Sequence, residues 1–224
     1  MPNYIDFMSP IHKSTKRDYL ARVNDKDFPK NVAADLAKKW SFDYWDGDRR
    51  INYGGYNYIE DRWKPVAQMM IDNYKLKDGC KILDVGCGKG FQIFEFMKLL
   101  PNSDICGIDI SKYAYENSKD EVKSNIKVGS CVELPWPDNY FDYVFSINTL
   151  HNLYNFELDK AISEINRVSK GNKYICVESY RNEIEKMNLL YWQVTCESFY
   201  TPEEWLWVFD KCDYDGDHSF IFFE

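Results

Sequence analysis

The chain has 224 residues, with 36 Asp or Glu and 28 Lys or Arg side chains, so its formal net charge is −8. Nucleic-acid-binding domains usually present a basic face, and this balance therefore argues against a nucleic-acid partner. No run of about 18 apolar residues and no signal-peptide core occurs, so we expect neither membrane insertion nor export. Seven cysteines form no Cys-x-x-Cys pair, which favours free thiols in a cytoplasmic protein.

The predicted elements begin with a polar, irregular arm over residues 1–28 and a helix over 32–40. Residues 41–62 mix glycines with aromatic side chains, which indicates an ordered loop that can fold over a ligand, and a helix follows to about residue 76. Short apolar strands then alternate with helices. These strands are predicted at 81–85, 105–109, 126–128, 141–147 and 173–178. Such alternation is typical of a parallel, doubly wound sheet.

A glycine-rich loop joins the first strand to the next helix. Its residues are Asp84-Val-Gly86-Cys-Gly88-Lys-Gly90, and Phe91 stands where the generic dinucleotide fingerprint has its third glycine. Glycines let a ligand lie against the backbone, and the N-terminus of the following helix attracts an anion. An ordinary tight turn is the alternative interpretation.

A second acidic residue, Asp109, ends the next strand roughly 20 residues beyond the glycine loop, the spacing at which a carboxylate reaches ribose hydroxyls. The alternative is that Asp109 caps the helix near Ser111. A third loop contains Ser130-Cys131 and precedes the fourth strand. The three motifs, in this order, resemble those of the class I S-adenosylmethionine (SAM) methyltransferases, although many relatives have Asp-Ala at the position of Ser130-Cys131.

The resemblance implies a Rossmann-like α/β fold, a doubly wound and mostly parallel sheet with a shortened antiparallel C-terminal part. It implies a methyltransferase domain over residues 61–224, preceded over 1–60 by an arm, a helix and a cofactor lid. The implied cofactor is SAM. The residues expected to bind it are Tyr58, Arg62, Asp84, Gly86, Cys87, Gly88, Asp109, Ile110, Ser130, Cys131 and Asn148.

Candidate catalytic residues should follow strands four and five, because ligands bind beyond the carboxyl ends of parallel strands. His151 is the leading candidate base, since an ordinary imidazole pKa of about 6.5 suits proton removal at neutral pH; a structural histidine is the alternative. Glu178 is the second candidate. The residues expected to bind the acceptor are Tyr53, Tyr180, Arg181, Tyr191 and Trp192. No metal is expected, because no Asp or Glu lies between Phe145 and Phe156.

Segments 12–19, 43–50 and 177–183 resemble small bacterial methyltransferases encoded with surface-polysaccharide enzymes. By that resemblance the acceptor is a small carbohydrate-derived molecule, such as a nucleotide-linked or phosphorylated sugar, methylated on oxygen for capsule polysaccharide biosynthesis. N-methylation of a small amine or amino acid and a non-catalytic SAM-binding role remain alternatives. Whether the protein acts as a monomer or a homodimer stays open.

Overall fold

A parallel β-sheet forms the centre of the computed structural model, which describes residues 3–12 and 18–224. Within those residues the sheet has six strands in the order β3-β2-β1-β4-β5-β6. The strands are β1 (Lys81–Val85), β2 (Asp104–Asp109), β3 (Ile126–Val128), β4 (Phe141–Ile147), β5 (Ser169–Glu178) and β6 (Asp217–Ile221). The predicted doubly wound sheet is therefore confirmed.

Ten α-helices occur in the described part of the chain. They are α1 (Tyr19–Asn24), α2 (Lys30–Ala37), α3 (Phe42–Trp45), α4 (Lys64–Tyr74), α5 (Phe91–Leu99), α6 (Lys112–Glu116), α7 (Asp120–Lys123), α8 (Asn155–Val168), α9 (Glu183–Trp192) and α10 (Pro202–Lys211). A single 3₁₀ turn spans Leu150–Asn152. Local signals explain several boundaries: Ser111 caps α6 by accepting a hydrogen bond from the Ala114 amide, and Thr201 with Glu204 forms a capping box on α10.

The core has two halves because successive strand residues point to opposite faces of the sheet. On β4, Phe145 packs in the half that contains α4 and α5, whereas Val144 packs in the half that contains α8 and α10. Both side chains are almost completely buried. The continuous apolar character of the strands follows from this burial on both faces.

The prediction of an antiparallel C-terminal part is wrong. Strand β6 pairs parallel with β5, in the register from Tyr174 opposite Asp217 to Glu178 opposite Ile221. Helices α9 and α10 lie between the two strands, and α10 packs on the sheet through Trp205. This helical connection brings the chain back from the carboxyl end of β5 to the level of its amino end, and β6 therefore runs in the same direction as β5.

The N-terminal residues pack against the far edge of this sheet. Tyr4 forms an isolated parallel bridge with His218 on β6, and Phe7 and Met8 are buried in the core. Part of the predicted arm, residues 1–2 and 13–17, lies outside the described residues. All seven cysteines carry free thiols.

Candidate functional site

The glycine-rich loop leaves the carboxyl end of β1 and starts α5. Gly86 has φ +83° and Gly88 has φ +54°, a region that favours glycine. A Cβ on Gly86 would lie 2.0 Å from the Thr149 hydroxyl, so the loop after β4 approaches this backbone closely. The loop is thus shaped by two positions at which a side chain cannot be accommodated.

The Asp109 carboxylate holds the loop and the end of β2 together. It accepts hydrogen bonds from the Gly88 amide at 2.7 Å and from the Ser111 amide at 2.8 Å. Burial raises the pKa of Asp109 despite these bonds. Burial, reinforced by the nearby charge of Asp109, raises the pKa of Asp84 well above its usual range. Two desolvated carboxylates side by side make this site suited to a cationic ligand.

A cavity of about 720 Å³ opens beside the loop, at the carboxyl edge of the sheet. Most of the predicted cofactor-binding residues line it: Arg62, Asp84, Gly86, Cys87, Gly88, Asp109, Ile110, Ser130, Cys131 and Asn148. Tyr58 does not. Its hydroxyl donates to Glu95, and its ring packs edge-on against Phe91 and Phe94, which places it on the outer side of α5. The position of Tyr58 therefore gives no support to a cofactor contact.

An aromatic wall of Trp45, Tyr53 and Tyr56 covers the glycine loop. Trp45 and Tyr53 stack with ring centroids 5.5 Å apart, and Tyr53 and Tyr56 lie 4.5 Å apart. A Cβ on Gly88 would come within 2.8 Å of the Trp45 ring, so the wall rests directly on the loop. The wall brings a π-electron surface to the cavity, which suits a cation.

An ion pair fastens the wall to the loop. Lys89, buried inside the loop, donates to both carboxylate oxygens of Asp46 at 2.8 and 2.7 Å. Asp46 also accepts from the Tyr113 hydroxyl and the Tyr56 amide, each at 2.9 Å. The contacts of Asp46 lower its pKa although burial opposes them. The sequence analysis did not single out Lys89, whose position inside the glycine loop was the available signal.

A smaller pocket of about 150 Å³ adjoins the cavity and is mostly polar. Tyr44, Tyr53, Asn148, Asn152 and Thr195 line both spaces. The pocket is also lined by Arg49, Asn52, His151, Glu178, Trp192 and Gln193. Both predicted catalytic residues are therefore brought together, beside the place where the two spaces meet.

His151 is buried at the wall of the polar pocket and makes two contacts with Glu178. Its Nδ1 accepts a hydrogen bond from the Glu178 amide at 3.3 Å, and its Nε2 lies 3.5 Å from a carboxylate oxygen of Glu178. Burial lowers the pKa of His151 to about 3, and the nearby carboxylate does not offset this. The expectation of an ordinary imidazole pKa is wrong, because the ring is 2% exposed.

Of the five residues that were expected to bind the methyl acceptor, two line the cavity or the polar pocket and three do not. Tyr53 lines both spaces and Trp192 lines the polar pocket. Tyr180, Arg181 and Tyr191 line neither. Arg181 instead pairs with Glu185 on α9 and, at 2.6 Å, with Glu224, and these contacts raise its pKa.

Several lining residues were missed by the sequence analysis. They are Trp40, Tyr44, Trp45, Gln92, Thr149, Asn152, Thr195 and the ion pair of Lys38 with Glu197. Asn152 stands four positions after Asn148, a spacing that could have suggested one helical face. The side-chain oxygens of Asn148 and Asn152 are buried and have no hydrogen-bond partner in the described part of the chain.

Two further findings concern metal ions and membranes. Among residues 3–12 and 18–224, no three His, Cys, Asp or Glu side chains are grouped so that they could hold a metal ion. None of the described helices combines the length and the apolar character needed to cross a bilayer.

Comparison with protein families places the site in a known class. Residues 76–212 match a family model described as a methyltransferase domain. The demethylmenaquinone methyltransferase of Staphylococcus aureus strain JH9 is 32% identical over 162 residues, 66% of each chain. That of Symbiobacterium thermophilum is 28% identical over 139 residues, 57% of this chain and 55% of the relative. The chain thus spans less than two thirds of these relatives.

Solved structures show the same fold. The YcgJ protein of Bacillus subtilis has a TM-score of 0.51 at 20% identity, covering 65% of this chain and 66% of its own. A putative methyltransferase of Bacillus halodurans has a TM-score of 0.53 at 16% identity, covering 65% and 67%. The [4+2]-cyclase SpnF has a TM-score of 0.52 at 21% identity, covering 72% and 60%. At these identities the likeness concerns the fold alone.

Proposed function

The chain belongs to the methyltransferase-domain family, for which SAM is the methyl donor, and we propose that it methylates a hydroxyl group of a small polar acceptor. We propose further that the acceptor is carbohydrate-derived, such as a nucleotide-linked or phosphorylated sugar. The observation that carries this proposal is the junction of the 720 Å³ cavity with a polar pocket containing Glu178. A cofactor and a polar acceptor can meet there.

The cavity fits SAM by three of its properties. The carboxyl group of Asp84 suits the positive charge of the ligand, and that of Asp109 suits its ribose hydroxyls. The Asn148 side-chain oxygen is a buried acceptor without a partner among the described residues, and an ammonium group of the ligand could donate to it. Arg62, at the cavity wall, suits the ligand's carboxylate. When bound, SAM supplies an electrophilic methyl group.

The protein residues then have three tasks. Asp109 accepts hydrogen bonds from ribose hydroxyls, and Ile110 and Ser130 contact the adenine side. The aromatic wall of Trp45, Tyr53 and Tyr56 excludes water from the methyl group, which strengthens electrostatic interactions inside the site. Glu178 would take the proton from the acceptor hydroxyl, whose oxygen would form a bond to the methyl group as the methyl–sulfur bond breaks and S-adenosylhomocysteine leaves.

Glu178 replaces His151 as the proposed base because of how the two residues are arranged. Of the described residues that line the polar pocket, Glu178 is the only carboxylate. A neutral His151 whose Nδ1 accepts a hydrogen bond carries its proton on Nε2, which faces the Glu178 carboxylate. Gln193 donates to the same carboxylate oxygen. His151 and Gln193 are therefore positioning residues for Glu178.

A quinol ring is a second candidate acceptor, because the curated relatives are named demethylmenaquinone methyltransferases. The aromatic wall could stack on a flat ring. The small pocket beside it is polar, however, and contains Glu178 and Arg49 rather than an apolar channel for a hydrocarbon tail. The geometry therefore favours the small polar acceptor.

The test is incubation with labelled SAM and separate pools of nucleotide sugars, sugar phosphates, amines and a demethylmenaquinol analogue, with products identified by mass spectrometry. We expect a sugar-derived product, formed equally in the presence of EDTA. Glu178→Gln should lower turnover about 10²- to 10⁴-fold while SAM affinity, measured by calorimetry, stays unchanged.

Glu183→Gln on the exposed start of α9 is the matched control, since its side chain is 85% exposed. Normal turnover of Glu178→Gln would contradict the proposed base. Methylation of the amine pool alone would support the N-methyltransferase alternative, and SAM binding without any product would support a non-catalytic role.

A further inference from the structure

The polar pocket contains an arginine that is not paired with an acidic side chain. Arg50, Arg167 and Arg181 each form ion pairs with carboxylates. Within residues 3–12 and 18–224, no carboxylate lies within ion-pair distance of Arg49. Its guanidinium donates to the Asn52 carbonyl and lies 5.3 Å from the centre of the Trp192 ring. Arg49 is exposed and lines the polar pocket, so its guanidinium is accessible to a ligand there.

A second positive charge lies on the same ring. The Arg22 guanidinium is 4.9 Å from the centre of the Trp192 ring and donates to the Ile51 carbonyl at 2.8 Å. The Trp192 ring thus takes cation–π contacts from both guanidinium groups. The positive charge of Arg49, which lines the polar pocket, is favourable to an anionic group there.

Glu178 lines the same polar pocket as Arg49. The pocket has a volume of about 150 Å³. That space holds a phosphate or carboxylate together with a few carbon atoms. An acceptor that fills it can place its anionic group at Arg49 and its hydroxyl group at Glu178. The pocket thus offers recognition at Arg49 and proton removal at Glu178.

We propose that Arg49 is the specificity-determining residue for the acceptor and binds its phosphate or carboxylate group. This inference rests on the proposed function, since it assigns the acceptor to the polar pocket. It replaces the expectation that Arg181 holds such a group, because Arg181 is occupied by Glu185 and Glu224. Arg49 belongs to the segment that forms the aromatic wall, so cofactor shielding and acceptor recognition come from the same part of the chain.

The experiment uses the 224-residue chain saturated with S-adenosylhomocysteine, the demethylated form of the cofactor. Binding of glycerol 3-phosphate, glycerate and glycerol is measured by calorimetry at constant ionic strength. We expect one or both anions to bind in the millimolar range and the uncharged glycerol not to bind. Comparison of the two anions distinguishes a phosphate site from a carboxylate site.

Variants locate the interaction. Arg49→Gln should weaken anion binding at least tenfold, and Arg49→Lys should retain part of it as a point charge. Arg50→Gln is the matched control, because Arg50 is the next residue and pairs with Asp48. Equal anion binding by Arg49→Gln and wild type, or the absence of anion binding, would overturn the proposal. Failure of S-adenosylhomocysteine to bind would instead overturn the proposed function.

Discussion

The parallel sheet and the N-terminal segment that covers it are stabilised in different ways. In the sheet, neighbouring strands bury apolar side chains on both faces, as Val144 and Phe145 do on β4. Residues 41–62 contribute only to a smaller apolar cluster, through Tyr44, Trp45 and Ile51, and rest on the glycine loop through the Trp45 ring and the ion pair of Asp46 with Lys89. A segment that buries less apolar surface opens locally at a lower free energy than the core strands. The sheet therefore fixes the position of the site, whereas residues 41–62 can change conformation when a ligand binds.

The largest expected effect is on the sheet. Phe145→Ala removes a ring that is 1% exposed and packs between the sheet and helices α4 and α5, so the free energy of unfolding should fall by about 3–5 kcal/mol. Phe156→Ala, on a side chain that is 66% exposed, is the control and should change stability little. Chemical denaturation measures both. A small loss in Phe145→Ala would mean that the sheet is not the stable frame.

The next prediction concerns the ion pair. Lys89→Met keeps the buried stem but leaves Asp46 without its cation, which should lower local stability of residues 41–62 by about 2 kcal/mol. Hydrogen exchange in this segment should become roughly thirty-fold faster, while exchange in β1 and β4 stays unchanged. Lys112→Met, on an exposed α6 side chain, is the control.

The same measurement decides between a lid and a scaffold. Added SAM should slow exchange of residues 41–62 in the wild-type protein if the segment closes over the cofactor. Full protection of the segment without SAM, together with no effect of Lys89→Met, would mean that it is part of the fixed frame.

A smaller effect is expected at Asp84, through pH. Burial raises the pKa of Asp84 in the folded state, so the protonated carboxyl group is favoured in the folded protein. The contribution of this group to the free energy of unfolding is fully present below about pH 4, where the carboxyl group is protonated in both states. That stability is lost as pH rises through the folded pKa. Asp84→Asn cannot ionise, so its advantage in thermal stability over wild type should grow from pH 4 to pH 8 and exceed about 1 kcal/mol.

Asp84→Asn should bind SAM more weakly than wild type, although it is more stable, because a carboxylate near the cationic ligand is removed. A variant that is less stable than wild type at pH 8 would contradict the raised pKa of Asp84.

The smallest expected effect distinguishes the roles of two residues in segment 41–62, Tyr58 and Arg62. Arg62 lines the cavity, whereas the hydroxyl of Tyr58 donates to Glu95. Arg62→Ala should therefore weaken SAM binding by about 1 kcal/mol, the scale of one hydrogen bond. Tyr58→Phe should leave the affinity unchanged in the same titration. If Tyr58→Phe weakens SAM binding as much as Arg62→Ala does, then the Tyr58 hydroxyl contacts the cofactor in the bound state, and residues 41–62 must move on binding.

The sequence by itself determined the features that depend on local pattern. Continuous apolar runs predict buried parallel strands, glycines at alternate positions predict the loop after β1, and Asp109 at the end of β2 follows from spacing. These signals are local because strand burial and a tight turn are imposed on each few residues separately. Because these residues belong to such local motifs, most of the residues that were expected to bind the cofactor do line the cavity.

Tertiary structure alone decided the rest. The direction of β6 depends on where α10 packs, and the pKa of His151 depends on its burial beside Glu178. The separate surroundings of Arg49 and Arg181 depend on which carboxylates the fold brings near each arginine. Contacts between residues far apart in the chain set burial and charge pairing, and neither can be read from a residue's immediate neighbours in the sequence.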